Sequence, residues 1–162
     1  MAFGLPGSGQ NGPVQVSAKA DYALRALLQM AACHPVPLTM SGIVGPQALP
    51  RSFAETILAE LRRAGFLRVS RVGQPSYSLS RPPDRISVGS VLRAVDGPLT
   101  RVRGLPPEAL TYSGVAQGLA VLWLEATARL EQLLDEVSLH DLVARADAET
   151  TPSVVARVAP RR

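Results

Sequence analysis

Residues 51–80 read RSFAETILAELRRAGFLRVSRVGQPSYSLS, and two different periodicities meet within them. The first half predicts a helix from Arg51 to Ala64 that starts after Pro50, a position where the missing proline N–H costs nothing. Its predicted buried stripe consists of Phe53, Ile57, Leu58 and Leu61. Gly65 is a typical residue at a helix C-terminus. The second half alternates between apolar and polar residues over 66–72 and again over 77–80, with a Gly-Gln-Pro-Ser turn between, which predicts a β-hairpin.

Two further helices are predicted before this stretch. Ser17 is a suitable cap for a helix over 18–32 that Pro35 and Pro37 follow. A short helix over 40–44 comes next, and Gly45-Pro46 is expected to break it early. The order of helix, short helix, helix and hairpin is typical of a winged helix-turn-helix domain. In that architecture the third helix enters the major groove and the hairpin reaches the neighbouring backbone or minor groove.

The sequence after the hairpin predicts a helix over 87–95, a loop over 99–115 and a long helix from Val115 to Val137. Apolar residues recur along the long helix at intervals of three or four. They are Leu119, Leu122, Ala126, Leu130, Leu133 and Val137, with Trp123 adjacent. Such a seam needs a partner helix, and because no second long helix is predicted, we expect a symmetric homodimer.

The predicted fold is therefore mainly α with a small β-hairpin. It has four parts: a flexible leader (1–15), a winged helix-turn-helix DNA-binding domain (16–83), a linker helix with the dimerisation helix and a short helix (84–145), and a disordered tail (146–162). Residues 51–85 hold seven arginines against three acids, which is the whole net charge of +4. A localised basic face suggests a polyanionic partner, double-stranded DNA above all.

The composition excludes several classes of protein. One cysteine, Cys33, and two histidines leave no disulfide framework and no predicted metal or cofactor site. No nucleophile–base–acid set and no phosphate loop is present, so we do not expect an enzyme. The apolar run 119–124 is too short to span a membrane and residues 1–13 do not form a signal peptide, which favours a cytoplasmic protein.

Several segments resemble the Rrf2 family of bacterial winged-helix transcriptional regulators. They are KADYALRAL (19–27), LAELRRAGF (58–66), YSLSRPP (77–83), ISVGSVLRAVDG (86–97), Leu122-Trp123 and 137–142. The resemblance implies a dimer formed through the long helix and an inverted-repeat operator, and it leaves a small molecule or a partner protein open as effector. Many members hold an iron–sulfur cluster through three cysteines in the loop before that helix. Here the loop 103–118 contains no cysteine, which predicts a regulator without a cluster.

The candidate DNA-binding residues fall into three groups. By resemblance, Ser17, Lys19 and Tyr22 contact phosphates, although core packing is an equal alternative for Tyr22. The exposed start of the third helix offers Gln47, Arg51, Ser52, Glu55 and Thr56 for reading base edges. The wing offers Arg71, Gln74 and Tyr77, with packing against the third helix as the alternative for Tyr77. Two features leave a second function open, a winged-helix protein-interaction module with weak or lost DNA binding. Asp21 stands where the family usually has a basic residue, and the wing tip is stiffer than is usual in the family.

Overall fold

The first helix, α1 (Ala18–Ala32), lies at the centre of the molecule, which we describe over residues 16–150 of a computed structural model. The Ser17 side chain caps it by accepting a hydrogen bond of 3.0 Å from the backbone N–H of Ala20. Alanines on its buried face allow the other helices to approach closely. The predicted leader over 1–15 lies outside the described residues.

A short strand and a second helix follow α1. The strand β1 (Leu38–Thr39) was not predicted, because two residues between Pro37 and a helix show no periodicity. Thr39 caps α2 (Met40–Gln47), which contains Pro46 within its last turn. The expectation that Gly45-Pro46 ends this helix early is therefore wrong. Pro46 forfeits only one backbone hydrogen bond near the C-terminus, and the left-handed Ala48 then ends the helix.

The third helix, α3 (Arg51–Arg63), begins after Pro50 as predicted. Its buried stripe consists of Ala54, Ile57, Leu58 and Leu61. The assignment of Phe53 to this stripe is wrong, because the side chain is 57% exposed. At 100° per residue, Phe53 lies about a quarter turn from the centre of the stripe, and Ala54 fills the inward position instead.

The wing is a three-stranded antiparallel sheet in the order β1-β3-β2. The predicted hairpin forms from β2 (Leu67–Ser70) and β3 (Ser76–Leu79), with Val69 opposite Tyr77. On the other side of β3, Leu38 is also opposite Tyr77. Gly73 has a φ of 73° in the connecting turn, a conformation that glycine adopts without strain. The sheet is thus one strand wider than the sequence predicts.

Three more α-helices follow within the described residues. They are α4 (Val88–Asp96), α5 (Gly118–Asp135) and α6 (Leu139–Thr150). The helix α5 is shorter than the predicted 115–137, because residues 114–117 form a 3-10 turn and the chain leaves the helix at Glu136. The helix α6 runs past residue 146, where a disordered tail was expected, because Ala146 and Ala148 have high helix propensity. Residues 151–162 of that tail lie outside the described part.

The main core joins the winged-helix elements to α6. Leu27 of α1, Ile43 of α2, Leu61 of α3 and Leu139 of α6 are all fully buried within it. A smaller cluster packs α4 between α1 and α5 through Ala20, Val88 and Leu92. Helix α4 therefore touches both the winged-helix domain and α5.

Candidate nucleic-acid interface

The N-terminal turns of α3 present polar side chains to solvent. Arg51, Ser52, Glu55 and Thr56 are all exposed, as the sequence predicts. Arg51 Nε lies 3.6 Å from Glu55 Oε1, one turn along the helix. An exposed pair of this kind contributes under about 1 kcal/mol, so either side chain can leave it to bind another group.

A groove of about 410 Å³ separates α3 from the wing. Four predicted DNA-binding residues line it, namely Arg51, Glu55, Gln74 and Tyr77. Thr39, Met40, Ser41 and Pro75 complete the lining and were not predicted. Their signal in the sequence is faint, because Thr39 and Ser41 look like an ordinary helix cap.

A second groove, of about 340 Å³, continues along the same side of α3. Arg62 of α3, Arg71 of the wing and Tyr77 all line this groove. Both arginines are exposed. Tyr77 thus lines both grooves and is half-buried between the sheet and α3, a position that leaves both of its predicted alternatives open.

The start of α1 is different, because its polar groups are bound within the chain. Ser17 donates from Oγ to Asp96 Oδ1 at 2.5 Å and from its backbone N–H to Asp96 Oδ2 at 3.0 Å. Lys19 Nζ lies 3.3 Å from Glu60 Oε2 of α3. The N–H and hydroxyl donors of Ser17 are therefore both occupied by Asp96, whereas the ammonium of the half-buried Lys19 keeps further donors beside its contact with Glu60.

Tyr22 is half-buried and belongs to an aromatic group between α1 and α3. Its ring centroid lies 6.2 Å from that of Phe53 in an edge-on arrangement, and the Arg25 guanidinium carbon lies 5.5 Å from the same ring. Arg25 also approaches Asp21 at 3.5 Å, which offsets the negative charge that stands at this position.

Gln47 faces α1 rather than solvent. Its Nε2 donates to Gln29 Oε1 at 2.9 Å, and its backbone carbonyl accepts a hydrogen bond from the Arg25 guanidinium. These contacts fix the end of α2 against α1. Gln47 is thereby the one member of the predicted base-reading group whose side chain is engaged inside the domain.

The predicted seam residues of α5 divide into two sets. Leu119, Leu122, Ala126 and Leu133 are exposed, whereas Leu130 and Val137 are half-buried. Trp123 is half-buried on the side that packs within the chain, where its Nε1 donates to the Tyr112 hydroxyl at 3.1 Å. Within this fully described helix only Thr127 is buried. The described part of the chain therefore leaves one apolar side of α5 uncovered.

Polar contacts attach α4 to the end of α5. Arg93 donates to Asp135 Oδ1 at 2.7 Å, and this hydrogen bond raises the pKa of the arginine. Ser87 donates to the same oxygen at 3.3 Å. Beyond this joint, Ser138 caps α6, and its hydroxyl and backbone N–H both donate to Asp141, which lowers the pKa of that carboxyl.

The fold and this surface define a winged helix-turn-helix protein, with α3 as its recognition helix and the hairpin as its wing. The family model of Rrf2, described as an iron-dependent transcriptional regulator, matches residues 16–145. The chain therefore belongs to the Rrf2 family of DNA-binding transcriptional regulators, and it is not an enzyme.

Known relatives agree with this assignment. A Mycobacterium tuberculosis protein whose name describes it as an HTH-type transcriptional regulator is 35% identical over 130 residues, or 80% of this chain and 81% of its own length. The solved structure of CymR from Bacillus subtilis, the global cysteine regulator, has a TM-score of 0.69 at 24% identity and covers 82% of this chain and 98% of its own. The structure of T. potens IscR has a TM-score of 0.68 at 25% identity, with coverages of 86% and 93%.

The residues before α5 do not fit an iron–sulfur cluster. The loop 103–118 offers no thiol, and its arrangement is instead aromatic, with the Arg103 guanidinium carbon 5.6 Å from the Tyr112 ring. Across residues 16–150 no three His, Cys, Asp or Glu side chains group in a way that could hold a metal ion. Cys33 lies at the end of α1. Over the same residues, no helix is long and apolar enough to cross a membrane.

Proposed function

We propose that the protein is a homodimeric transcriptional repressor that binds an inverted-repeat operator without an iron–sulfur cluster. The observation that carries this proposal is the pair of grooves along α3, where Arg51, Arg62 and Arg71 stand beside the exposed polar turns of the helix. Guanidinium groups in this position can bind phosphates or the edge of guanine, and Ser52 and Thr56 present exposed hydroxyl groups beside them, that of Thr56 donating to the Ser52 carbonyl at 3.5 Å.

The exposed side of α5 supports the dimer. Leu119, Leu122, Ala126 and Leu133 form a seam with the three-four spacing that two helices need to pack together. Nothing within residues 16–150 covers this seam. A second copy of α5 related by a two-fold axis supplies an identical surface, and the same axis matches the symmetry of an inverted repeat.

Salt-dependent binding of the protein to DNA from its own promoter region tests the proposal. We expect nanomolar, sequence-selective binding that weakens steeply with salt. Arg51→Ala combined with Arg71→Ala removes four phosphate or base contacts per dimer. The negative slope of the logarithm of the binding constant against the logarithm of salt concentration should therefore become shallower by about 3 to 4. The matched control, Arg101→Ala combined with Arg145→Ala, removes the same charge away from the grooves and should leave that slope nearly unchanged.

The absence of a cluster is a separate part of the proposal and needs its own experiment. Protein purified without oxygen should be colourless and contain neither iron nor acid-labile sulfide. A brown protein with visible absorption would overturn this part while leaving the DNA-binding part standing.

A protein-interaction module without DNA binding is the second candidate function. Asp96 and Glu60 favour it, because they already bind Ser17 and Lys19 at the end of α1 that should approach phosphates. Weak, sequence-blind binding that the Arg51 and Arg71 substitutions do not change would support this function. Tight and selective binding would exclude it.

A further inference from the structure

Phe53 is an exposed aromatic residue that the core does not need. It is the third residue of α3, and the buried stripe of that helix is complete without it. More than half of its side chain faces solvent, although the protein has only three phenylalanines in total. Single exposed apolar side chains are ordinary on protein surfaces, so the significance of Phe53 depends on where it lies and not on its exposure alone.

The position of Phe53 is favourable for contact with DNA. The N-terminal residues of a recognition helix are the ones that reach base edges in the major groove. Phe53 follows Ser52 directly and lies one turn before Thr56, both of which are exposed. Its contact with Tyr22 places Phe53 on the flank of α3 that faces α1. The two grooves lie along the opposite flank of the helix.

The orientation of the Phe53 ring is supported from behind. The Tyr22 ring meets it edge-on, with 6.2 Å between the two ring centroids. The guanidinium carbon of Arg25 in turn lies 5.5 Å from the centroid of the Tyr22 ring. Aromatic pairs in this geometry restrict each other's orientation. The ring thus offers a fixed apolar surface, and it has no polar atom with which to bind a phosphate or a base edge.

We propose that Phe53 is a specificity-determining residue that contacts the 5-methyl group of a thymine in each half-site of the operator. The thymine methyl is the apolar group that the major groove displays, and phenylalanine is among the side chains that contact it. This inference rests on the proposed DNA-binding function. It adds that the α1 side of the recognition helix reads an A·T pair by apolar contact, while the wing side carries the arginines.

Replacement of thymine by deoxyuridine tests the proposal, because it removes the methyl and leaves base pairing intact. Operators carrying the replacement symmetrically at one thymine position at a time are titrated with the full-length protein. At one position we expect wild-type affinity to fall about fourfold per half-site, or about 15-fold for both, from the loss of one buried methyl each. Phe53→Ala should bind the unmodified operator more weakly and should be insensitive to deoxyuridine at that position.

Two further variants make the experiment decisive. Phe53→Leu retains an apolar side chain and should recover part of the sensitivity to deoxyuridine. Val36→Ala removes an exposed apolar side chain from the turn after α1 and should behave as wild type. The proposal is overturned when the wild type and Phe53→Ala respond alike at every thymine position. No selective DNA binding by the wild type would instead defeat the proposed function, and this inference with it.

Discussion

The winged-helix domain and α5 are built from similar residues but differ sharply in burial. Alanine and leucine dominate both α1 and α5, yet α1 has six buried residues and α5 has one. The difference lies in the neighbours, because α1 is surrounded by four helices and the sheet, whereas no residue within 16–150 covers one side of α5. An apolar periodicity in a sequence therefore indicates that a surface will be covered, but not whether the same chain covers it.

The largest expected effect comes from a charge in the α5 seam. Leu122 is 50% exposed, and Leu122→Asp would bury two carboxylates in the proposed dimer interface, at a cost of several kcal/mol each. We expect the dimer dissociation constant to rise at least about 1000-fold, as measured by analytical ultracentrifugation. Val121→Asp is the matched control, since Val121 is 57% exposed but lies away from the seam. Equal effects of the two substitutions would show that the seam is not the interface.

The second prediction contrasts the two regions within a monomer. In the Leu122→Asp background, Leu27→Ala opens a cavity at a fully buried position and should lower the free energy of unfolding by about 2–5 kcal/mol. Leu133→Ala should lower it by less than about 0.5 kcal/mol, because Leu133 is 59% exposed there. Urea unfolding followed by circular dichroism measures both. A large loss at Leu133 would mean that α5 is packed in the isolated chain.

A third prediction concerns the joint between the two regions. A Cβ added at Gly89 of α4 would lie 3.2 Å from the backbone nitrogen of Asp135, too close for relaxed packing. Gly89→Ala should therefore lower the free energy of unfolding, as measured in thermal unfolding, by about 1–3 kcal/mol and shift α5 relative to α4. Gly118→Ala adds the same methyl at a position with nothing within 4 Å, so it should be neutral or stabilising.

The smallest effect is expected from pH at the start of α6. Because Ser138 lowers the pKa of Asp141 below its usual 3.8, the ionised carboxylate stabilises the fold above that value. This contribution is lost as the pH falls through the lowered pKa. Asp141→Asn should be less stable than the wild type at about pH 5, and the difference should shrink towards about pH 2 in thermal unfolding. A difference that does not depend on pH would assign the effect to geometry rather than charge.

The sequence predicts the order of the elements well, because each depends on local periodicity and caps. The helices α1, α3 and α4 begin within a residue of their predicted starts, and the hairpin turn forms at Gly73. It does not predict contacts between distant residues. The binding of Ser17 to Asp96 spans 79 positions, and only the packing of α4 on α1 brings the two together.

The candidate site follows the same rule. Exposure of Arg51, Ser52 and Thr56 follows from the helical pattern of α3 itself. The exposure of Phe53 depends on how α1 packs beside that helix, because a residue a quarter turn from the buried stripe is covered only when a neighbouring element reaches over it. The contribution of Thr39 and Ser41 depends on the strand β1, which is too short to detect.

Two carboxylates hold helix α4 in place, one of its own and one of α5. At its C-terminal end Asp96 binds Ser17 at the start of α1, and near its middle Arg93 binds Asp135 at the end of α5. In the proposed dimer through α5, these two contacts would fix the position of each α3 relative to the two-fold axis. The packing of α4 would then set the distance between the two copies of α3, and with it the spacing between the half-sites of the operator.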